Sequence, residues 1–320
     1  SNGIELEAND GYFEGRPKIK RVVYIYEKDA DKQLAGLLKG DIDIISPLSP
    51  KAAEFLIKDS KYSVDVSSNV TPYMVAVFLN NRSPLFSDRK VRTALNMAVK
   101  REVLVDKGIS GVPAHGPFIR EMLPENYAPT PFPYDPKKAT QLLKEAGWRD
   151  KNGDGILEKG GKRFRFLLHY STASDEFRKV ADIIAQQFYE IGIEVEIRPV
   201  AFTDIRPSEK YDAILCDINI LPLSNIWGTN SLNKGEHLNL SNYSSKEADD
   251  LLNQLNTTTD AREKKRISGM LDRVIHEDAP AVFIYHIVDH SVVSSRFKEG
   301  SEFRNESYSF YKIKDMDIGQ

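Results

Sequence analysis

Few of the oxygen, nitrogen and sulfur donors in this 320-residue sequence stand at spacings that converge on one point. Asp150-Lys151-Asn152-Gly153-Asp154-Gly155 alternates oxygen ligands around glycine in the manner of a calcium loop. Its twelfth position is Gly161, where a bidentate carboxylate would have to close the shell, so the segment reads as an Asn/Gly/Asp turn ahead of a strand. Gly160-Gly161-Lys162-Arg163 lacks the spacing of a phosphate loop and has no Ser or Thr after the lysine. Of the six histidines, His286 and His290 are four apart, but they fall in or after an expected strand, where that spacing does not converge ligands as it does on a helix. Cys216, the one cysteine, lies in an apolar strand pattern and reads as a buried, inert thiol. No Gly-x-Ser-x-Gly elbow occurs, and 47 carboxylates guarantee chance pairs. Nothing here demands catalysis, and no cofactor or metal is expected.

The 44 basic and 47 acidic residues leave a net charge of −3, with no dense Lys/Arg stripe for a phosphate backbone. The run Arg262-Glu263-Lys264-Lys265-Arg266 sits at helical spacing and reads as a solvated face. Nucleic acid is therefore not an expected partner. Apolar runs such as 281–285 are too short to cross a bilayer, and the first residues lack the basic and apolar regions of an export signal. A lone cysteine cannot form an internal disulfide, and it leaves the redox compartment open.

The elements that must position any binding residues alternate between strand and helix. Residues 22–26 are β-branched and aromatic; Asp29 then caps a helix with Leu34, Leu37 and Leu38 on one side, stopped by Gly40. Strands are expected at 42–45, 62–66 and 73–79, with a helix from Ser49-Pro50. Asp88 opens a helix carrying Val91, Ala94, Leu95 and Ala98, and Asp135-Pro136 opens another that ends at Gly147. Between these two helices, 113–136 is rich in proline and reads as an ordered surface segment without regular structure. Strand 164–169, helix 175–191 and strand 193–197 form a parallel crossover unit. Strand 211–216, helices 245–255 and 260–275, and apolar 281–285 with 291–293 follow.

Several segments together resemble the solute-binding proteins of the peptide/nickel ABC-transporter family. They are Asn9-Asp10-Gly11-Tyr12-Phe13-Glu14-Gly15-Arg16-Pro17; Gly40-Asp41-Ile42-Asp43-Ile44; Leu79-Asn80-Asn81-Arg82-Ser83-Pro84-Leu85-Phe86-Ser87-Asp88-Arg89-Lys90-Val91-Arg92-Thr93-Ala94-Leu95-Asn96; Tyr134-Asp135-Pro136-Lys137-Lys138-Ala139; Leu142-Leu143-Lys144-Glu145-Ala146-Gly147; Tyr189-Glu190-Ile191-Gly192-Ile193; and Glu277-Asp278-Ala279-Pro280. The resemblance implies an α/β, periplasmic-binding-protein-like two-lobed fold, with mixed sheets flanked by helices, one lobe complete and the other partial. It places 1–82 in a partial first lobe, 83–285 in the second, and 286–320 back in the first, with crossings near Asn80-Asn81 and Tyr285-His286. Ser1-Asn2 reads as an expression remnant, and an N-terminal truncation relative to the family is expected. Function follows as an expectation: an extracytoplasmic component of an ABC importer, in the periplasm or as a cell-surface lipoprotein. It would be monomeric, and would capture a peptide or similar small solute between hinged lobes and deliver it to a membrane permease. An oligosaccharide or metal-chelate binder, a ligand-sensing module of a regulator, and an enzyme with a carboxylate pair are the competing readings.

In the family's peptide receptors, the strand matching 211–216 runs into a Gly-Trp-x-Ala-Asp loop whose acid holds the peptide amine. Here the corresponding loop reads Asp217-Ile218-Asn219-Ile220-Leu221-Pro222-Leu223-Ser224, with Leu221 in the acid's place and Asp217 nearby. By family position the ligand-binding candidates are Ser171 and Thr172, then Asp217, Ile218 and Asn219, and Tyr285 with His286. Trp227 and His115 are secondary candidates, Trp227 being equally suited to a core and Ser171-Thr172 to capping the following helix.

Overall fold

A computed structural model describes residues 3–13, 15–58, 62, 64–106, 111–205, 211–233 and 238–297. Expectations for Ser1-Asn2 and for 298–320 lie outside the described residues. Internal contacts divide the chain into two compact units, Ser1–Thr71 with Val288–Gln320, and Pro72–Ile287.

In the first unit, β1 (Gly3–Glu7) and β2 (Arg21–Ile25) form an antiparallel hairpin. Helix α1 (Ala30–Lys39) starts where Asp29 accepts from the N–H groups of Asp31 and Lys32, and stops at Gly40, whose φ of 80° only glycine adopts readily. Strand β3 (Ile44–Leu48) and helix α2 (Pro50–Lys58) follow, the helix started by Ser49 Oγ accepting from Ala52 N–H. Leu37, Ile45, Leu48, Ala53 and Leu56 pack with Val292 into a small core. Strand β4 (Val64–Leu79) then runs out of this unit into the second.

The second unit contains α3 (Arg89–Ala98), α4 (Glu102–Asp106), β5 (Gly111–Pro113), α5 (Pro136–Glu145), β6 (Glu158–Lys159), β7 (Lys162–Arg163) and β8 (Arg165–Ser171). It continues through α6 (Glu176–Tyr189), β9 (Glu194–Val200), β10 (Ala213–Asn219), α7 (Leu223–Trp227), α8 (Lys246–Thr257) and α9 (Ala261–Asp278). Strand β11 (Ala281–Ser294) leads back to the first unit. Its sheet runs β11-β4-β10-β8-β9, with β5 added to β11; β8 is parallel to β9 and β10, whereas β10 is antiparallel to β4. In the first unit β3 pairs with the far end of β11.

Side-chain alternation along β4 fixes which helices cover which face. Val75, Val77 and Leu79 point to a core shared with α3, α5 and α6, and Met74, Ala76 and Phe78 to a second core shared with α7, α8 and α9. All six are fully buried, the arrangement expected when a sheet is covered on both sides. The parallel unit β8-α6-β9 forms as expected from its apolar periodicity, with Val180, Ile184 and Phe188 buried.

Two expectations are corrected. Residues 64–66 and 73–79 are parts of the single 16-residue β4, and 281–285 and 291–293 are parts of the single 14-residue β11. Polar residues interrupt the apolar pattern of each strand without interrupting its ladder. Internal contacts set the unit boundaries at 71/72 and 287/288. Asn80 and Asn81 belong to the second unit because their N–H groups donate to Asp212 O and Ser241 O, and Asn81 Nδ2 donates to Pro280 O at 2.9 Å. Asp217, Ile218 and Asn219 stand in β10, paired with Val75, Met74 and Tyr73, where a loop was expected.

Candidate functional site

The carboxyl ends of the parallel strands β8 and β10, with the first turn of α6, gather several polar candidates in the second unit. This is the edge at which open α/β sheets commonly bind ligands. Ser171 ends β8 fully buried, its Oγ accepting from Ala173 N–H, while Thr172 is exposed and tied through its N–H to Val200 O. Asp217 is half-buried, and burial raises its pKa, offset in part by a backbone hydrogen bond. Asn219 is also half-buried, and its Oδ1 accepts from Leu221 N–H at 3.0 Å.

Tyr285 is 2% exposed; its ring crosses Gly111 of β5, where a Cβ would collide with it. Burial raises the pKa of its phenol, and the negative charges of Glu176 and Asp217 raise it further. Asp217, Glu176 and Tyr285 therefore share one electrostatic environment. Glu176 was not among the sequence candidates. The signal for it was its place in the first turn of the helix that follows a parallel strand.

The other candidates lie elsewhere. Ile218 and Trp227 are 4% and 0% exposed within the core under α7, α8 and α9, Trp227 packing against Phe78, Tyr243 and Phe283. Ile218 lies on the face of the sheet that the helices close, and Trp227 packs onto that face from the end of α7. His286 is 4% exposed, and burial depresses its pKa to about 4. Backbone groups of Tyr73, Gly116 and Phe118 lie near the imidazole and offset this in part, yet neither ring nitrogen has a hydrogen-bond partner among the described residues.

His115 belongs to a separate network. Its Nδ1 accepts from Phe132 N–H at 3.1 Å, and its carbonyl accepts from His276 Nδ1 at 2.8 Å. The Phe132 ring stacks on His276 with centroids 4.0 Å apart. Nearby Arg101, 2% exposed, donates to Ala114 O, Phe283 O, Asn96 O and Asn96 Oδ1. Burial lowers the guanidinium to about 9, and its charge together with burial holds His115 near 4.

The Asp150–Gly155 segment is a turn in which Asp150 accepts from the N–H groups of Gly153 and Gly155, and Arg163 forms an ion pair with Asp154. Cys216 is fully buried, and burial pushes its thiol pKa well up. Arg262, Lys264, Lys265 and Arg266 are exposed on α9. These three segments have the structural roles that their sequence patterns suggest.

Comparison with known proteins assigns the chain. The oligopeptide-binding protein AppA of Bacillus subtilis strain 168 is 30% identical over 325 residues, covering 98% of this chain and 58% of the relative. Heme-binding protein A of Haemophilus influenzae is 24% identical, covering 92% of this chain and 54% of its own length. The chain thus spans little more than half the length of these relatives. The solved structure of Bacillus subtilis AppA in complex with a nonapeptide matches with a TM-score of 0.73 at 29% identity, covering 100% of this chain and 64% of that one. The periplasmic binding protein DppA from Helicobacter pylori, solved with the peptide STSA, shares the fold at 20% identity, with a TM-score of 0.72 and 61% of its chain covered. The family model described as bacterial extracellular solute-binding proteins, family 5 middle, matches residues 1–238, and the chain belongs to that family.

Proposed function

We propose that this protein is the extracytoplasmic solute-binding component of an ABC importer, capturing a peptide or similar small solute and delivering it to a membrane permease. The observation that carries this reading is the family match over residues 1–238. Relatedness to an oligopeptide-binding protein over nearly the whole chain favours a peptide as the solute. The unit Pro72–Ile287 would correspond to a complete lobe, and the other unit to part of a second.

Ser171, Thr172, Asp217, Asn219 and Tyr285 are proposed to meet the ligand. Thr172 is exposed, Asp217 and Asn219 are half-buried, and all stand on a scaffold locked by apolar cores. A rigid frame with accessible polar groups favours binding without chemistry, because preorganised donors and acceptors cut the ordering cost of association. His286 and His115 would act from behind this set, and Ile218 and Trp227 would support it through packing. Capture would work by preferential binding to one of two conformations, the solute shifting their populations without any bond being made or broken.

A thermal-shift screen of di- to pentapeptides, oligosaccharides and nickel chelates tests the reading. Peptides are expected to raise the melting temperature, by about 2.7 kcal/mol of added stability at a hundredfold excess over Kd. Stabilisation by sugars or chelates alone would overturn the peptide assignment, and turnover of any probe would overturn the binding role itself.

A further inference from the structure

We propose that residues 114–132 form an acid-sensitive strap, latched to α9 by His115, His276 and Asp272 and released when the two histidines take up protons. The latch occupies one face of the helix, at Gly269, Asp272 and His276. Pro124 and Tyr127 rest on Gly269, where a Cβ would come within 3.2–3.3 Å of them. Tyr127 Oη donates to Asp272 Oδ2 at 2.9 Å, and Phe118 N–H also serves Asp272. Gly116 passes so close to Asp272 Oδ1 that a Cβ there would collide with it. One turn further along, His276 Nδ1 donates to His115 O, and Phe132 closes the strap over the imidazole.

A neutral imidazole is essential at His115, whereas at His276 it is burial that opposes the charge, the Nδ1 bond to His115 O being kept by either form. His276 uses its Nδ1 proton toward a carbonyl, and His115 Nδ1 must keep its lone pair to accept from Phe132 N–H. A proton on His115 Nδ1 would replace that acceptor with a donor facing a donor. The charged groups acting on the pair are Arg101, which opposes protonation of both, His276, which when charged opposes it on His115, and Glu102 and Glu277, which favour it on His115 and His276 respectively. Burial is the largest influence on each, and it depresses both.

The sign follows directly. In the closed strap His115 titrates near 4, whereas released it regains the ordinary value of 6.5. Between those values the open form binds more protons at His115, which raises the open fraction by up to about tenfold per pH unit of acidification; His276, also lowered by burial, acts in the same direction. Asp272 works the other way, because burial raises its carboxyl to about 6 in the closed form and acid therefore favours closure through it. Two histidines set against one aspartate leave acid favouring release. His286, whose ring lies beside the strap's Gly116 and Phe118, adds to the same side. Ala114 N–H donates to Ile284 O next to Tyr285, so release would loosen residues proposed to meet the ligand. That consequence rests on the proposed function; the strap itself does not.

Amide hydrogen exchange of the whole protein, read by mass spectrometry between about pH 7 and pH 4.5 and corrected for intrinsic rates, tests the strap. The expected result is a loss of protection in 114–132 of up to about tenfold per unit below pH 6, while α8 keeps its protection. His276→Asn retains a donor toward His115 O but cannot titrate, and should flatten the pH dependence by up to about tenfold per unit; Asp272→Asn should steepen it. The proposal is overturned if 114–132 keeps its protection, if it loses protection in step with α8, or if both variants follow the wild-type slope. None of these readouts involves a solute, so failure of the strap and failure of the binding role remain distinguishable.

Discussion

Asp217 places a carboxylate in β10 where half of its hydration is lost. Burial lifts its pKa above the ordinary value, so the ionised form costs stability at neutral pH, and this cost disappears once acid protonates the group in both the folded and unfolded chain. Asp217→Asn is therefore expected to raise the melting temperature at neutral pH, a gain that fades toward pH 3. If Asp217 meets a cationic group on the solute, the same substitution should weaken binding by about tenfold or more, read by calorimetry. Higher stability with unchanged peptide affinity would remove Asp217 from the ligand set. Trp227 provides the contrast. Trp227→Ala should cost about 3–5 kcal/mol in denaturant unfolding, because it empties a fully buried site between Phe78, Tyr243 and Phe283. Its effect on binding should be no larger than that loss of stability explains.

The helices begin where single side chains satisfy exposed N–H groups. Asp88, Asp135, Ser245 and Asp260 cap α3, α5, α8 and α9. Asp260→Ala should cost about 1 kcal/mol in chemical denaturation, through loss of the 2.8 Å bond to Glu263 N–H. Such caps were legible because they depend on residues within one turn of each other. The continuity of β4 and β11 was not, because it depends on ladder partners far away in the chain. Ser67 Oγ meets Ser291 Oγ at 2.6 Å, and Ser68 Oγ meets His290 Nδ1 at 2.7 Å. These cross-strand pairs satisfy polar residues that looked like interruptions.

The two units differ in what holds them. Pro72–Ile287 is one continuous stretch with two extensive apolar cores on either face of its sheet. Among the described residues, Ser1–Thr71 with Val288–Gln320 has a much smaller core, and Ile4, Leu6, Val23 and Ile25 of its hairpin are exposed. Differential scanning calorimetry should accordingly resolve two transitions, the smaller-core unit melting first; a single two-state transition would contradict this expectation. Exchange protection should follow the same order, highest in β4 at 74–79 and β10 and lowest in the β1-β2 hairpin.

Sequence by itself determined the fold class, the family resemblance, the parallel unit β8-α6-β9 and most helix starts. Apolar periodicity, caps and turn glycines act over short stretches and can be read there. Through the family resemblance it also nominated Ser171, Thr172, Asp217, Ile218, Asn219, Tyr285, His286, Trp227 and His115 as ligand-binding candidates. Only tertiary structure decided that Trp227 and Ile218 face a closed core, that Glu176 acts on Tyr285, and that His115 meets His276 and Tyr127 meets Asp272. Burial and electrostatic environment arise from residues remote in sequence brought within a few ångströms. The same apolar or polar side chain therefore reads identically in the chain, whether the fold buries it, pairs it or leaves it open to a solute.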